Sequence, residues 1–185
     1  VENLVAEKLP SIQQLTPIRT RKAPDCRMLF YADIMNTEPL QRLLNVPVAL
    51  KKPARIDGYM NSLQSELSIQ ASVPQLSISD QDYADISLSV STPADALNAI
   101  LKAKKVLSNG NKAEYALDAM AANHTLSAAL VFDTHRQLHI KGNMNANAHF
   151  SRNEEGKVKA VVNLMPSHLM LDDTNWDIMS STLTY

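Results

Sequence analysis

An unbroken alternation of apolar and polar residues over positions 138–150 is the feature that most constrains the fold. A strand places successive side chains on opposite faces, so this period of two creates one apolar and one polar face. At about 3.3 Å per residue the run would extend over about 43 Å, well beyond an ordinary strand of roughly 5 or 6 residues. The apolar face comprises Leu138, Ile140, Gly142, Met144, Ala146, Ala148 and Phe150, and the polar face comprises His139, Lys141, Asn143, Asn145, Asn147 and His149.

The same alternation recurs in runs 67–73, 84–90 and 158–164. Short stretches at 123–124, 134–137 and 153–156 are interpreted as turns. A parallel crossover needs about a dozen residues or more, so these short connections predict an antiparallel meander.

Positions 93–107 fit either a helix or a strand. Thr92 and Pro93 resemble a helix start, and Leu97, Ile100 and Leu101 suit a helical period. The apolar residues also alternate, and Asn109-Gly110 is a strong hairpin signal, which favours the strand.

An apolar sheet face exposed to water is unfavourable by about 25 cal/mol per Å². A second sheet, packed helices or an apolar ligand would cover it. Long strands with small inner residues, including Gly142, Ala119 and Ala121, favour a long curving sheet with an open groove. A β-sandwich whose halves cover each other remains an equally strong alternative from the pattern alone.

Apart from the ambiguous positions 93–107, helical patterns are confined to the N-terminal quarter. Residues 1–24 predict a helix broken at Pro10 and followed by a linker, and residues 36–44 predict a short second helix. The sequence therefore predicts a mainly β chain, with residues 25–185 forming a long antiparallel meander and one or two short helices near the N-terminus. Because the chain starts at Val1, we expect it to be a segment of a longer protein.

Composition excludes several classes of function. Lys and Arg number 18 against 19 acidic residues, which argues against a nucleic-acid binder. With 4 Gly and 1 Cys, neither a glycine-rich phosphate loop nor a disulfide framework is expected. No apolar run approaches the roughly 20 residues of a membrane helix, and residues 1–20 lack the pattern of a signal peptide.

No constellation of residues predicts catalysis, a metal or a cofactor, so we expect the chain not to be an enzyme. His135 and His139 lie four apart, which serves a shared metal on a helix, whereas this region is predicted as a turn and a strand. Asp172-Asp173 is interpreted as a turn, and Cys26 as a buried thiol. The rival hypothesis is an enzyme or metal site that uses His135, His139 or Asp172.

Two stretches of the sequence carry a resemblance to a known family. The first consists of Arg55-Ile56-Asp57-Gly58-Tyr59, the run 67–73, and Pro74, Leu76, Ile78, Asp80, Tyr83, Asp85-Ile86 and Leu88. The second consists of Phe150, Arg152-Asn153, Gly156, Leu164-Met165-Pro166-Ser167, Leu169, Leu171, Asp173, Trp176, Ile178 and Ser180. With these residues the chain resembles TamB-like proteins of the AsmA group, in versions similar to those of the Bacteroides group. The resemblance covers roughly residues 25–185.

The resemblance implies an open sheet curved into a half-pipe, or β-taco, within a periplasmic protein anchored in the inner membrane. It implies transport of phospholipid toward the outer membrane, with acyl chains as ligands and an outer-membrane assembly protein as a partner. Neighbouring β-segments of the full-length chain would pair with its edges, and a fragment would tend to dimerise through edge strands. The implied groove residues are Leu67, Ile69, Ala71, Val73, Ile86, Leu88, Val90, Leu138, Ile140, Met144, Ala146, Ala148 and Phe150.

Two further expectations accompany this interpretation. The helix at 36–44 and the N-terminal helix would cap one end of the groove. The alternative function is a structural or protein-interaction β-module in outer-membrane protein assembly, whose apolar face is covered internally.

Overall fold

The computed structural model describes residues 25–38, 47–135 and 138–184, and they form one open antiparallel sheet of 13 strands. The predicted mainly β meander is therefore confirmed. The strands are β1 (Arg27–Ile34), β2 (Val48–Leu50), β3 (Ala54–Asn61), β4 (Glu66–Ile78), β5 (Gln81–Ser91), β6 (Leu97–Val106), β7 (Lys112–Ala122), β8 (Thr125–Asp133), β9 (Ile140–Arg152), β10 (Val158–Leu164), β11 (Ser167–Leu171), β12 (Thr174–Ile178) and β13 (Ser181–Thr184).

Consecutive strands from β3 to β10 are neighbours in the sheet, with β1 at one edge and β13 at the other. Tight turns produce this order. Ser79 and Asp80 between β4 and β5, like Asn123 and His124 between β7 and β8, all have positive φ. Two such residues in succession match the twist of a two-residue hairpin.

The ambiguous segment is a strand. β6 spans Leu97–Val106, and Gly110, at φ 84°, lies in the turn that joins it to β7. The signal Asn109-Gly110 therefore identified the hairpin correctly, and the helical interpretation of this segment is wrong.

The two longest strands each pair with two shorter strands placed end to end along one side. β4 pairs with β3 through its first half and with β2 through its last residues. β9 pairs with β11 near its start and with β10 near its end. Main-chain bonds bridge both junctions, from Lys51 N to Gln75 O and from Met165 N to Asn145 O.

A proline is accommodated within β4 by a bulge in β5. Val73 pairs with Ile86 and Gln75 with Ala84, which places Pro74 opposite Asp85. Pro74 has no N–H to donate, and Asp85 adopts a φ of 53°. The β5–β6 register shifts at this point, as expected of a β-bulge.

The described strands have almost no buried core. The buried apolar residues are four alanines and one leucine, and the main contacts between strands join ladder neighbours only. Because these strands form a single sheet, the sandwich alternative, in which two halves cover each other, is not adopted by the described part of the chain.

The predicted N-terminal helix and linker (1–24) lie outside the described residues, as does most of the predicted helix at 36–44. Their capping of the groove, and the domain boundary after residue 24, stay predictions. Thr37 is buried, and its hydroxyl donates to Val48 O and accepts from Leu50 N, which fixes this segment beside β2. Among the described residues, no helix is long and apolar enough to span a bilayer.

Candidate functional site: the apolar face of the sheet

One row of apolar side chains crosses seven consecutive strands of the sheet. Each member is the direct partner of the next, which places neighbouring Cβ atoms about 4.5–5.5 Å apart on one face. With strands about 4.8 Å apart, the row extends over about 29 Å. It consists of Ile56, Ala71, Leu88, Leu101, Leu117, Leu130 and Met144.

Two further rows lie beside it on the same face, because alternate residues of a strand share a face. The alanine-rich row consists of Gly58, Ile69, Val90, Ala99, Ala119, Ala128, Ala146 and Leu164. The other row consists of Leu97, Ala121, Leu126, Ala148, Val162 and Leu183. These three rows are called the apolar face below.

The opposite face is predominantly polar. One of its rows contains Asp57, Gln70, Ser89, Ile100, Asp118, Ala129 and Asn145. Asparagine side chains are hydrogen-bonded there: Asn163 Nδ2 donates to Asn147 Oδ1 at 3.1 Å, and Thr182 Oγ1 donates to Asn163 Oδ1 at 2.9 Å. The sheet is therefore amphipathic across its width.

Side chains on the apolar face remain partly accessible, except that of Ala121, which is buried. Leu88, Leu117 and Leu130 are half-buried, and Leu101 at the centre of the row is 39% exposed. No second layer covers this face among residues 25–38, 47–135 and 138–184. Apolar area of this kind is where a ligand or partner gains the most by excluding water.

The register brings most of the predicted groove residues together. In β4 and β5, Ile69 pairs with Val90, Ala71 with Leu88 and Val73 with Ile86, and Leu67 lies on the same face of β4. In β9, Met144, Ala146, Ala148 and Phe150 share a face. Three of these are also direct partners of β10, since Ala146 pairs with Leu164, Ala148 with Val162 and Phe150 with Ala160.

The start of β9 differs from the prediction. The strand begins at Ile140, which pairs with Leu171, whereas Leu138 precedes it and is exposed. His139, between the two, is bonded to Asp172, since His139 N donates to Asp172 Oδ1 at 2.9 Å and Asp172 N donates to His139 O at 2.7 Å. Leu138 is therefore not a residue of the strand face.

Strands β6, β7 and β8 lie between the groove residues of β4 and β5 and those of β9. Their own residues on the apolar face are missing from the predicted groove residues. They include Leu101, Leu117 and Leu130, at the centre of the apolar face. Alternation at 97–107 was visible but ambiguous with a helix. In β8, Ala129 and Val131 are also apolar and hide the period of two.

Gly142 does not leave open space on this face, contrary to expectation. A Cβ at this position would lie 2.4 Å from His168 O and 2.8 Å from Leu169 Cδ2. The absence of a side chain here allows β11 to approach β9 closely. The open part of the apolar face is instead the alanine-rich row over β6–β9.

Ion pairs gather on the polar side near the bulge. Asp85 accepts from Lys112 Nζ at 3.1 Å and lies 3.8 Å from Lys104 Nζ. The hydrogen bond from Lys112, together with the positive charges of Lys112 and Lys104, lowers the pKa of Asp85. The hydrogen bond and charge of Glu114 raise the pKa of Lys104.

A separate polar cluster lies where β8 ends. Asp133 Oδ1 is 2.6 Å from His139 Nε2 and 3.3 Å from His135 Nε2, and the two imidazoles stack with centroids 5.3 Å apart. Burial raises the pKa of Asp133, but the hydrogen bond from His139 and the interaction with both histidines outweigh it and lower the pKa. The two histidines therefore meet although the described residues of this segment form no helix.

Comparison with family models, with curated proteins and with solved structures finds no match to this chain.

Proposed function

We propose that this chain is a segment of a cell-envelope lipid-transport protein whose apolar face shields phospholipid acyl chains between the inner and the outer membrane. The single observation that carries the proposal is the uncovered apolar row over seven strands, set against a polar opposite face. The resemblance to TamB-like proteins supports the same function and, with it, a periplasmic location.

The apolar face would replace the hydrocarbon interior of the bilayer. Each CH₂ removed from water contributes about 0.8 kcal/mol, so an acyl chain lying along the row gains several kcal/mol. Aliphatic and alanine side chains contact an acyl chain only through weak, nondirectional dispersion, so no single point of the face would hold the chain. The polar opposite face stays hydrated, which allows the sheet to remain in an aqueous compartment.

Leu101 and Ile100 provide a matched test, because they are adjacent in β6, lie on opposite faces and are both 39% exposed. Leu130 and Val131 in β8 are likewise adjacent and on opposite faces, with Val131, at 54% exposure, more accessible than the half-buried Leu130. Phospholipid would be measured by native mass spectrometry and by lipid extraction of gently purified protein. We expect Leu101→Asn with Leu130→Asn to lose copurifying lipid, and Ile100→Asn with Val131→Asn to retain it.

Equal lipid loss from both double variants, or lipid-free wild-type protein, would contradict the proposal. Circular dichroism of each variant separates lost binding from lost folding, because an intact sheet retains its β spectrum.

A second candidate function is an assembly module, which the edge strands favour. β1 pairs only with β3 in the described sheet, and Leu29 and Tyr31 on this strand are exposed. An unpaired edge can add a strand from a neighbouring β-segment or a second copy. Lipid-free protein that dimerises through β1 would favour this candidate.

A further inference from the structure

Three potential metal ligands from two strand ends converge at the β8–β9 connection. One ligand atom from each of Asp133, His135 and His139 lies within 4.8 Å of the other two, and Asp133 Oδ1 is 3.3 Å from His135 Nε2 and 2.6 Å from His139 Nε2. Their side chains are 31%, 46% and 35% exposed, so an ion from solvent can reach them. No other group of three such ligands occurs in the described part of the chain.

Hydrogen bonds from neighbouring turns hold this cluster in place. His139 is fixed to the β11–β12 turn by its two main-chain contacts with Asp172. Asn111 of the β6–β7 turn donates from Nδ2 to His135 O at 3.4 Å. Thr134 exchanges two bonds with Ile140, since its N donates to Ile140 O and its Oγ1 accepts from Ile140 N. The ligand-bearing residues are therefore positioned before any ion binds.

The two distances to Asp133 Oδ1 lie near the spacing of ligand atoms around a small ion with four ligands. Zinc lies about 2.0–2.2 Å from imidazole nitrogen and carboxylate oxygen, which separates tetrahedral ligand atoms by about 3.4 Å. The His135–Asp133 distance of 3.3 Å already fits this value. The His139–Asp133 distance of 2.6 Å must lengthen by less than about 1 Å, as an ion replaces the hydrogen bond.

We propose that Asp133, His135 and His139 form a binding site for a late first-row divalent metal ion, with zinc as the reference ion. Two imidazoles and one carboxylate select zinc, copper, nickel or cobalt over magnesium and calcium, which take oxygen ligands. Three protein ligands leave one coordination position for water or a group of a partner. A bound ion would fasten the β8–β9 connection.

The test is titration of chelator-treated full chain with ZnCl₂ by isothermal calorimetry, together with Co²⁺ absorption as a report on coordination geometry. We expect one equivalent to bind and Co²⁺ to give the visible bands of a tetrahedral site. Because loss of an outer-shell partner alone weakens metal affinity about 10–100-fold, H135A and D133N should each weaken Zn²⁺ binding by at least about tenfold.

His168 supplies the matched control. Its Nδ1 lies 2.6 Å from Asp177 Oδ1, so it has the same His–Asp pairing without a third ligand in the described structure. H168A should bind Zn²⁺ as the wild type does.

Absence of Zn²⁺ binding would overturn the proposal. So would weak binding of several Zn²⁺ equivalents that H135A and D133N leave unchanged. A loss of Zn²⁺ affinity in H168A equal to that in H135A would overturn it as well. His135 is the most exposed of the three ligands, so H135A should fold normally, which circular dichroism verifies.

Discussion

Gly142 lies directly opposite Leu169 in the ladder between β9 and β11, and a Cβ on Gly142 would be 2.4 Å from the carbonyl oxygen of His168. The approach involves main-chain atoms, which cannot rotate away. β11 and β12 are therefore attached to the sheet at a position that tolerates only glycine.

Gly142→Ala should lower the free energy of unfolding by about 1–3 kcal/mol, the usual effect of forcing extra volume into a packed site. Urea denaturation would measure it. Leu169→Ala removes the side-chain part of the conflict but leaves the carbonyl of His168 in place. Gly142→Ala should therefore remain destabilising in the Leu169→Ala background, and full recovery there would show that the backbone contact is unimportant.

Asp80→Gly should raise the free energy of unfolding by up to about 1 kcal/mol. Asp80 has a φ of 64° in the β4–β5 turn, and glycine adopts this conformation without steric conflict. Thermal or urea unfolding would measure the gain. Asp80→Ala is the control, since alanine gains nothing at positive φ; a gain of equal size in both variants would contradict the conformational explanation.

Asp85→Asn should reduce stability near neutral pH and leave it unchanged in strong acid. The pKa of Asp85 is lowered from 3.8 in the folded protein, so its ionised form stabilises the fold above about pH 3.8. This contribution disappears as pH falls through the lower folded pKa. The loss should be small, because the ion pairs with Lys104 and Lys112 are exposed to solvent.

Urea unfolding of wild type and Asp85→Asn at pH 7 and at pH 2.5 would measure this dependence. Asp85→Gly is the control, because it also removes the carboxylate while suiting the φ of 53°. Both variants should show the same change in pH dependence. A difference from wild type that is equal at both pH values would exclude the electrostatic contribution.

Ala119→Phe should reduce the amount of copurifying phospholipid without introducing a polar group. Ala119 lies between Ala99 and Ala128 in the alanine-rich row, where a phenyl ring would occupy the space available to an acyl chain. Lipid extraction would measure the change. Asp118→Phe on the polar face is the control. Increased lipid on Ala119→Phe would indicate that the face binds lipid only through its hydrophobicity.

Much of this sheet could be predicted because the period of two is a local property. Alternation located β4, β5, β9 and β10, and Asn109-Gly110 identified the β6–β7 hairpin. The prediction missed Leu101, Leu117 and Leu130 because their membership of one row depends on the register between strands. No single strand contains that information.

The rival hypothesis of a metal site named His135 and His139, but their meeting with Asp133 and the position of Leu138 could not be predicted, for a related reason. Both depend on contacts between the β8–β9 connection and turns distant in sequence, such as that of His139 with Asp172. Spacing rules for histidines on helices or strands do not describe residues gathered where a connection meets a strand. The prediction that Gly142 leaves open space was wrong for a similar reason, because residues of β11 occupy the space beside it.

Because the main contacts join each described strand only to its ladder neighbours, the sheet resembles a one-dimensional array. In such an array, stability is a sum of nearest-neighbour terms, and a perturbation propagates only through the strands in between. Disruption at β1 would then leave amide hydrogen exchange in β8 and β9 nearly unchanged. Unfolding would begin at the edge strands and advance strand by strand, so the described sheet would unfold progressively from its edges.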